Sequence, residues 1–280
     1  MKILVTGSAG LLGKACVGLA SHRHECIGLS HGDLDVNDRS AVDSAFERIR
    51  PEAVLHCAAY TDVDGAEREP EQAMAVNADG AESVARAAHR AGATMLYVST
   101  DYVFDGEKRA PYTEEDPTHP LSRYAASKLE GERRVAEVTP EGSLIVRSGW
   151  LYGSGKGFVD WALHRFDSGE VVRAVRDQMG SPTWVQDLAE ALLALIERRR
   201  SGIFHVVNPG ETSWWGAAQF LAELVGADAS RIEGIMLEDL GRPAPRPSYS
   251  VLAVEKFEDA TGLCLRPWKE TLASYVSEKK

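Results

Sequence analysis

The 280-residue chain is poor in cysteine, in positive charge and in long apolar runs, and each shortage excludes a class of protein. Its four cysteines, Cys16, Cys26, Cys57 and Cys264, form no C-x-x-C pair and have no histidine at metal-ligand spacing. The expectation is reduced thiols in a cytoplasmic protein, with no disulfide framework and no metal. Cys57 lies inside an apolar run, where a thiol behaves as a small hydrophobe. With 31 basic and 42 acidic side chains the formal charge is −11, and the pI is near 5.3. Such a chain offers no basic face to the phosphates of a nucleic acid. The Arg198-Arg199-Arg200 run is too short to reverse that and reads as a helix C-terminus facing water. No apolar stretch approaches the ~20 residues of a membrane span. Lys2-Ile3-Leu4-Val5 runs into a glycine loop rather than into a secretory h-region. Internal repeats and low-complexity tracts are missing too.

What the chain does have is rhythm. Ile3-Leu4-Val5 precedes a helix whose Leu11, Leu12, Ala15, Cys16 and Leu19 recur at three- and four-residue spacing. Further strands are read at 26–30, 53–58, 94–98 and 144–147, with helices near 40–49, 71–91 and 123–138 between them. This alternation predicts an α/β fold, a Rossmann-type doubly wound parallel sheet covered on both faces. After Ser148 the pattern changes. Helices near 157–167 and 185–199 and strands at 171–175 and 204–207 can still join the sheet. A helix at 214–225, a proline-rich loop from Arg242 and a last helix from about 268 to 278 follow. The expected division is a dinucleotide-binding domain over 1–147 plus about 182–207. A smaller C-terminal α/β substrate lobe takes 148–181 and 208–280 and sits at the carboxyl edge, where open sheets bind ligands.

Gly7, Gly10 and Gly13 have G-x-x-G-x-x-G spacing between a strand and a helix. A tight turn, close backbone approach to a diphosphate and free helix N–H groups all require this arrangement. At the end of the second strand stand Ser30, His31 and then Asp33. An acid there favours two free ribose hydroxyls, whereas a hydroxyl and an imidazole can serve a 2′-phosphate. NADH and NADPH both remain open, with the balance toward NADPH. Asp35 or Asp38 caps the helix near 40. Ala58 and Ala59, small residues ending the third strand, leave room for a coenzyme across the sheet edge.

Tyr124 and Lys128 lie four apart on a helix, so both leave it from one face, roughly 6 Å apart along the axis. Reduction of a ketone leaves an alkoxide that must receive a proton. An ammonium about 5 Å from a phenol, at an effective dielectric of about 20, favours the phenolate by roughly 3 kcal/mol, lowering its pKa by about two. Tyr124 is therefore expected as proton donor and Thr100 as the hydroxyl that holds the carbonyl oxygen. Lys128 tunes the phenol and grips the nicotinamide ribose. Asp64 with Glu67 fits a capping box. Asn77 reads as a helix-interior amide bridging backbone groups, and equally, by resemblance to the superfamily named below, as an asparagine near the active site.

These segments resemble the extended short-chain dehydrogenase/reductase superfamily, and within it the dTDP-4-dehydrorhamnose reductase family. The resemblance runs nearly end to end. It rests on Ala58-Ala-Tyr-Thr-Asp-Val-Asp64, Ser99-Thr-Asp-Tyr-Val-Phe104, Tyr124-Ala-Ala-Ser-Lys128, Arg147-Ser-Gly-Trp-Leu-Tyr152, Asp177-Gln-Met-Gly-Ser-Pro-Thr183 and Arg246-Pro-Ser-Tyr-Ser-Val-Leu252. It implies NAD(P)H-dependent reduction of the C4 keto group of a dTDP-linked 6-deoxy sugar, with Thr100, Tyr124 and Lys128 catalytic. The implied coenzyme set is Gly7, Gly10, Leu11, Leu12, Gly13, Ser30, His31, Asp35, Val36, Ala58, Ala59, Thr61, Ser99, Tyr124 and Lys128. Asp101, Tyr102 and Trp150 are implied to line the sugar pocket together with Thr100, with Val63 and Gln178 nearby and Arg246 at the diphosphate. Trp150 also reads as an aromatic core plug, and Trp214-Trp215 as a helix start anchored in the small lobe. Some members bind magnesium at a dimer interface through acids that align with Ala15 and Gln186, so no metal is expected here. The implied assembly is a monomer or a homodimer.

Two other readings stay open. A reductase of another nucleotide-linked keto sugar would keep the catalytic residues and change the pocket. A regulatory subunit resembling the methionine adenosyltransferase β subunit shares the Ser/Thr-Asp-Tyr-Val-Phe-Asp-Gly and Tyr-x-x-x-Lys segments without catalysis. A dehydratase would need a glutamate where Tyr102 stands, so elimination is disfavoured.

Overall fold

The computed structural model describes residues 1–140, 142–153, 155 and 157–279. Six strands build the main sheet: β1 (Lys2–Thr6), β2 (Glu25–Leu29), β3 (Ala53–His56), β4 (Thr94–Thr100), β5 (Leu144–Ser148) and β6 (Gly202–His205). Their spatial order is β2-β1-β3-β4-β5-β6, and every pairing is parallel. The order reverses at β1, so the crevice between β1 and β3 opens at a topological switch point.

Side chains alternate between two apolar layers because successive strand residues point to opposite faces. Ile3, Val5, Leu55, Leu96 and Val146 pack on α1 (Leu11–Ala20) and the helix Val185–Glu197 through Cys16, Leu188 and Leu192. Leu4, Val54, Met95 and Ile145 face the other way, against Val42 and Phe46 of α2 (Arg39–Ile49), Val84 of α3 (Ala81–Ala91) and Val135 of α4 (Arg123–Val138). Asp38, not Asp35, caps α2 by accepting from Ala41 N at 3.0 Å. Ser122 caps α4 through Ala125 N.

Three sequence expectations are corrected. The segment 171–175 does not join the main sheet. Val172–Val175 pairs in parallel with Ile232–Ile235, because helix Val185–Glu197 returns Gly202–His205 to the sixth position. The helix expected over 71–91 is interrupted by a π turn at Ala75–Gly80, between Pro70–Met74 and α3. There the Asn77 carbonyl accepts the Tyr97 hydroxyl at 2.9 Å, and Gly80 packs where a Cβ would lie 2.7 Å from Val36 Cγ2. The Asp64–Glu67 capping box does not form. Gly65 N donates to Asp62 instead, Glu67 accepts from Arg123 N, and Asp64 is engaged elsewhere.

Small strand pairs join Leu151–Tyr152 to Thr183–Trp184 and Met179–Gly180 to Thr212–Ser213. Val159, Val172, Leu221 and Leu272 belong to the same apolar cluster as Ile3 and Leu188, so the C-terminal segments share the core of the sheet. Among the described residues no helix is long and apolar enough to cross a membrane.

Candidate active site

The turn after β1 is built around close backbone approach. Gly7 has φ +68°, and a Cβ on it would lie 2.6 Å from Ala58 N. A Cβ on Gly13 would lie 2.2 Å from the Gly7 carbonyl oxygen. Gly10 caps α1 in an extended conformation without a side-chain hydrogen bond, and no acid stands in the first turn. The N–H groups of Leu11, Leu12 and Gly13 therefore face outward with the positive end of the helix dipole, a ready anion site. The Leu12 side chain itself is buried in the core, so that residue has only its backbone to offer.

At the tip of β2, Asp33 Oδ2 accepts from both Ser30 N (2.9 Å) and Ser30 Oγ (2.6 Å). These two bonds hold the Asp33 carboxyl below its ordinary range. A carboxylate thus sits on the very donors that the sequence offers to a ribose phosphate. His31 and Asp35 are exposed, and Asp35 accepts from Asn37 N. Val36 is buried against Gly80.

Beyond β3, Ala58 and Ala59 are half-buried and Thr61 is exposed. Asn77 clamps this segment: its Oδ1 accepts from Tyr60 N, and its Nδ2 donates to Tyr60 O and to Ser127 Oγ on α4. The amide thus bridges backbone groups and also reaches the Tyr124–Lys128 segment through Ser127.

Thr100 ends β4, and Tyr124, Lys128 and Glu132 follow one another at four-residue spacing on α4. The Tyr124 hydroxyl faces the Thr100 hydroxyl. The electrostatics differ from the sequence expectation. Lys128 Nζ donates to Val98 O at 2.6 Å and lies 4.1 Å from the Tyr97 ring centre, rather than serving the phenol. Burial pushes the Tyr124 phenol above its ordinary value, and the nearby Asp101 carboxyl pushes the same way. The expected acidification is absent because desolvation of a phenolate outweighs a cation aimed elsewhere. Burial also pushes Lys128 down to about 7, with Glu132 opposing. His56, below it on β3, is driven by burial to about 3 and stays neutral, bonded to Thr6 Oγ1.

Ser99, adjacent to Thr100, commits its hydroxyl to Glu132 Oε1 at 2.5 Å. Glu132 in turn holds Arg147 of β5 through both carboxylate oxygens, Nη2–Oε2 at 2.7 Å, and both side chains are buried. This ion pair locks α4 to the sheet directly beneath Thr100.

Around the opening, Asp101 is buried and bonded to Thr100 and Ser250. Gln178 Nε2 donates to the Tyr102 hydroxyl at 3.2 Å, and Val63 is half-buried. Arg246 is bound by Asp64, with Arg242 3.8 Å from the same carboxylate. Trp150, 8% exposed, stacks on Trp214 at 3.9 Å and 11°. It stands at φ +54°, a left-handed conformation costly for a tryptophan. Its indole fills a wall closed by Gly180, where a Cβ would lie 2.2 Å away.

The sequence reading did not single out Ser250, Glu132 or Arg147. Glu132 carried a signal, one helical turn beyond Lys128, but nothing in its own type says that it is buried. Among the described residues no group of three or more His, Cys, Asp or Glu is placed to hold a metal ion.

A family model described as "RmlD substrate binding domain" matches residues 1–280. The chain is 42% identical to a dTDP-4-dehydrorhamnose reductase of Streptomyces griseus, covering 96% of this chain and 91% of that one. It is 36% identical to a dTDP-4-keto-6-deoxy-D-glucose reductase of Streptomyces niveus, over 96% and 94%. The crystal structure of a Bacillus anthracis dTDP-4-dehydrorhamnose reductase in complex with NADP superposes with a TM-score of 0.95 at 35% identity, over 99% of this chain and 100% of that one. With matches of this extent and a doubly wound sheet that opens on the site just described, the chain belongs to the RmlD substrate binding domain family.

Proposed function

We propose that this protein reduces the C4 keto group of dTDP-4-dehydro-L-rhamnose to dTDP-L-rhamnose with NADPH or NADH. The observation that carries the reading is the facing pair of Thr100, at the carboxyl end of β4, and Tyr124, with Lys128 one turn further along α4, near an uncapped glycine turn. The names of the Streptomyces griseus and Bacillus anthracis relatives support the sugar and the coenzyme.

The cradle fits a dinucleotide, since Gly7 and Gly13 let the turn pack tightly on Ala58 and on itself, and the N-terminus of α1 above it carries no side-chain cap and no acid. Gly7, Gly10, Leu11, Leu12 and Gly13 would hold the diphosphate. Ser30, His31, Asp35 and Val36 would border the adenosine ribose, and Ala58, Ala59, Thr61 and Ser99 the crevice. When bound, a reduced nicotinamide supplies the hydride for the carbonyl carbon. Thr100 holds the carbonyl oxygen, and Tyr124 gives it a proton. A phenol kept protonated by burial suits this direction, because reduction needs the acid form at the start. Lys128 anchors the ribose side. Asp101, Tyr102, Val63 and Gln178 frame the sugar against the wall that Trp150 closes. Arg246, with Arg242 beside it, meets the diphosphate. We place the protein in the cytoplasm as a monomer or homodimer; its four cysteines, all free, suit a reducing compartment.

The test is direct. Purified protein is mixed with NADPH or NADH and dTDP-4-dehydro-L-rhamnose, and the absorbance of the reduced nicotinamide is followed. Loss of absorbance with formation of dTDP-L-rhamnose supports the reading, and no oxidation with either coenzyme overturns it. The Streptomyces niveus relative favours one second reading, a different dTDP-linked 4-keto-6-deoxy sugar. Comparing kcat/KM for the two sugars separates them.

A further inference from the structure

The Thr100 hydroxyl has one hydrogen, and its oxygen stands within hydrogen-bond distance of a carboxylate, which can only accept it. Thr100 Oγ1 donates to Asp101 Oδ1 at 3.1 Å and accepts from Tyr102 N at 3.2 Å. The second carboxylate oxygen, Oδ2, accepts from Ser250 Oγ at 2.5 Å. All three side chains are buried, at 5%, 3% and 2% exposure for Thr100, Asp101 and Ser250. Gly149 lies flat against the carboxyl group, since a Cβ there would sit 2.3 Å from Asp101 Cγ. The groups facing Asp101 are therefore two hydroxyls, the backbone N–H groups of Asp101 itself and Tyr102, the peptide of Gly149 and the phenols of Tyr102 and Tyr124. Among the described residues no lysine, arginine or histidine pairs with it.

A ketone oxygen only accepts hydrogen bonds. If Thr100 is to hold one, as the proposed function has it, its hydrogen must first leave Asp101. We propose that Asp101 controls this donor: protonation of its Oδ1 turns the carboxyl O–H onto Thr100 Oγ1 and frees the Thr100 hydrogen for the substrate carbonyl. Ser250 is the positioning residue. By occupying Oδ2 it directs the incoming proton to Oδ1, the oxygen that faces Thr100. One proton is taken up from water, one O–H bond forms on Asp101, and the Thr100 hydrogen changes acceptor without leaving its oxygen. Burial pushes the Asp101 carboxyl up to about 7 against the two hydroxyl bonds and the two backbone N–H groups that favour its charged form, so the control falls in the neutral range. This inference rests on the reading of Thr100 as the group that holds the substrate carbonyl.

The experiment is the pH dependence of kcat/KM for the whole protein with dTDP-4-dehydro-L-rhamnose and its preferred coenzyme. The parent is expected to lose activity as pH rises through about 7, where Asp101 gives up its proton. In Ser250→Ala a bond that favours the carboxylate is gone, so the alkaline limb moves up by about one pH unit. Ser250→Thr keeps a hydroxyl and returns the limb to the parent position. Asp101→Asn cannot titrate, and its limb keeps only the contributions of Lys128, which neither Ser250 nor Asp101 touches, and, at higher pH, of the Tyr124 phenol. Should Ser250→Ala fail to fold, Ser250→Thr and Asp101→Asn carry the test through limb position and steepness. An active parent whose alkaline limb is the same in Ser250→Ala, or in Asp101→Asn, overturns this inference alone. A parent inactive at every pH overturns the proposed function and this inference with it.

Discussion

Arg246 and Asp64, 182 positions apart, meet as fork and carboxylate, Nη1 to Oδ1 at 3.0 Å and Nη2 to Oδ2 at 2.9 Å. The contact ties the segment after β3 to the C-terminal stretch that also delivers Ser250 to Asp101. Arg246 is nearly buried, so it cannot reorient freely when its partner is removed. Asp64→Ala should therefore loosen the nucleotide-sugar end of the site and leave the chemistry in place. The expected outcome is a KM for the nucleotide sugar raised about tenfold with kcat within about threefold. Steady-state kinetics at saturating coenzyme read it, and a fall in kcat with KM unchanged would contradict it.

Removal of the proposed proton donor should have the opposite signature. Tyr124→Phe keeps the ring that packs beside Thr100 and loses the only phenol that faces it among the described residues. Turnover should drop by about a thousandfold, within the span of a general acid, while coenzyme affinity stays within about threefold. Turnover within tenfold of the parent removes Tyr124 from this role.

Lys128 costs stability where it stands. Burial holds its folded pKa at about 7, against an ordinary value of 10.5. Between those values the unfolded chain binds more protons than the folded one, so this group's contribution to stability rises with pH across the window. Below about 7 both states are charged, and the burial penalty is fully present. Lys128→Met should accordingly be more stable than the parent at pH 6, by about 2 kcal/mol, and lose that advantage toward pH 10. Urea unfolding at several pH values measures the gap. An advantage independent of pH would show that the ammonium is not the source.

Coenzyme choice should respond to a residue three positions beyond the Ser30 donors. The Asp33 carboxylate occupies Ser30 N and Oγ, and its charge opposes a second phosphate at that edge. Asp33→Asn should raise the preference for NADPH over NADH by about tenfold. The ratio of kcat/KM for the two coenzymes reads the change, and a ratio moved toward NADH would overturn the argument.

Much of this is legible in the sequence alone. Strand β1, the glycine spacing and α4 follow from patterns that act within a few residues: alternation, a turn that only glycine can make, helical periodicity. The placement of Tyr124 and Lys128 on one helix face follows from helical pitch alone. Less local features escaped. Val172–Val175 reads as a strand, but nothing within it says that Ile232–Ile235 is its partner. Asp64 reads as a cap because of Glu67 three positions on, yet its true partner is Arg246.

The sequence by itself determined the doubly wound architecture and the placement of Tyr124 and Lys128 on one helix face, since short-range periodicity and backbone sterics suffice for both. Only the tertiary structure decided their charge states and the ownership of their hydrogens. The Tyr124 phenol is raised rather than lowered, Lys128 is turned to the Val98 carbonyl, and the Thr100 hydrogen rests on Asp101. Those outcomes depend on how far each group is removed from water and on which partners the folded chain brings within 3 Å or so, quantities that no local stretch of residues contains.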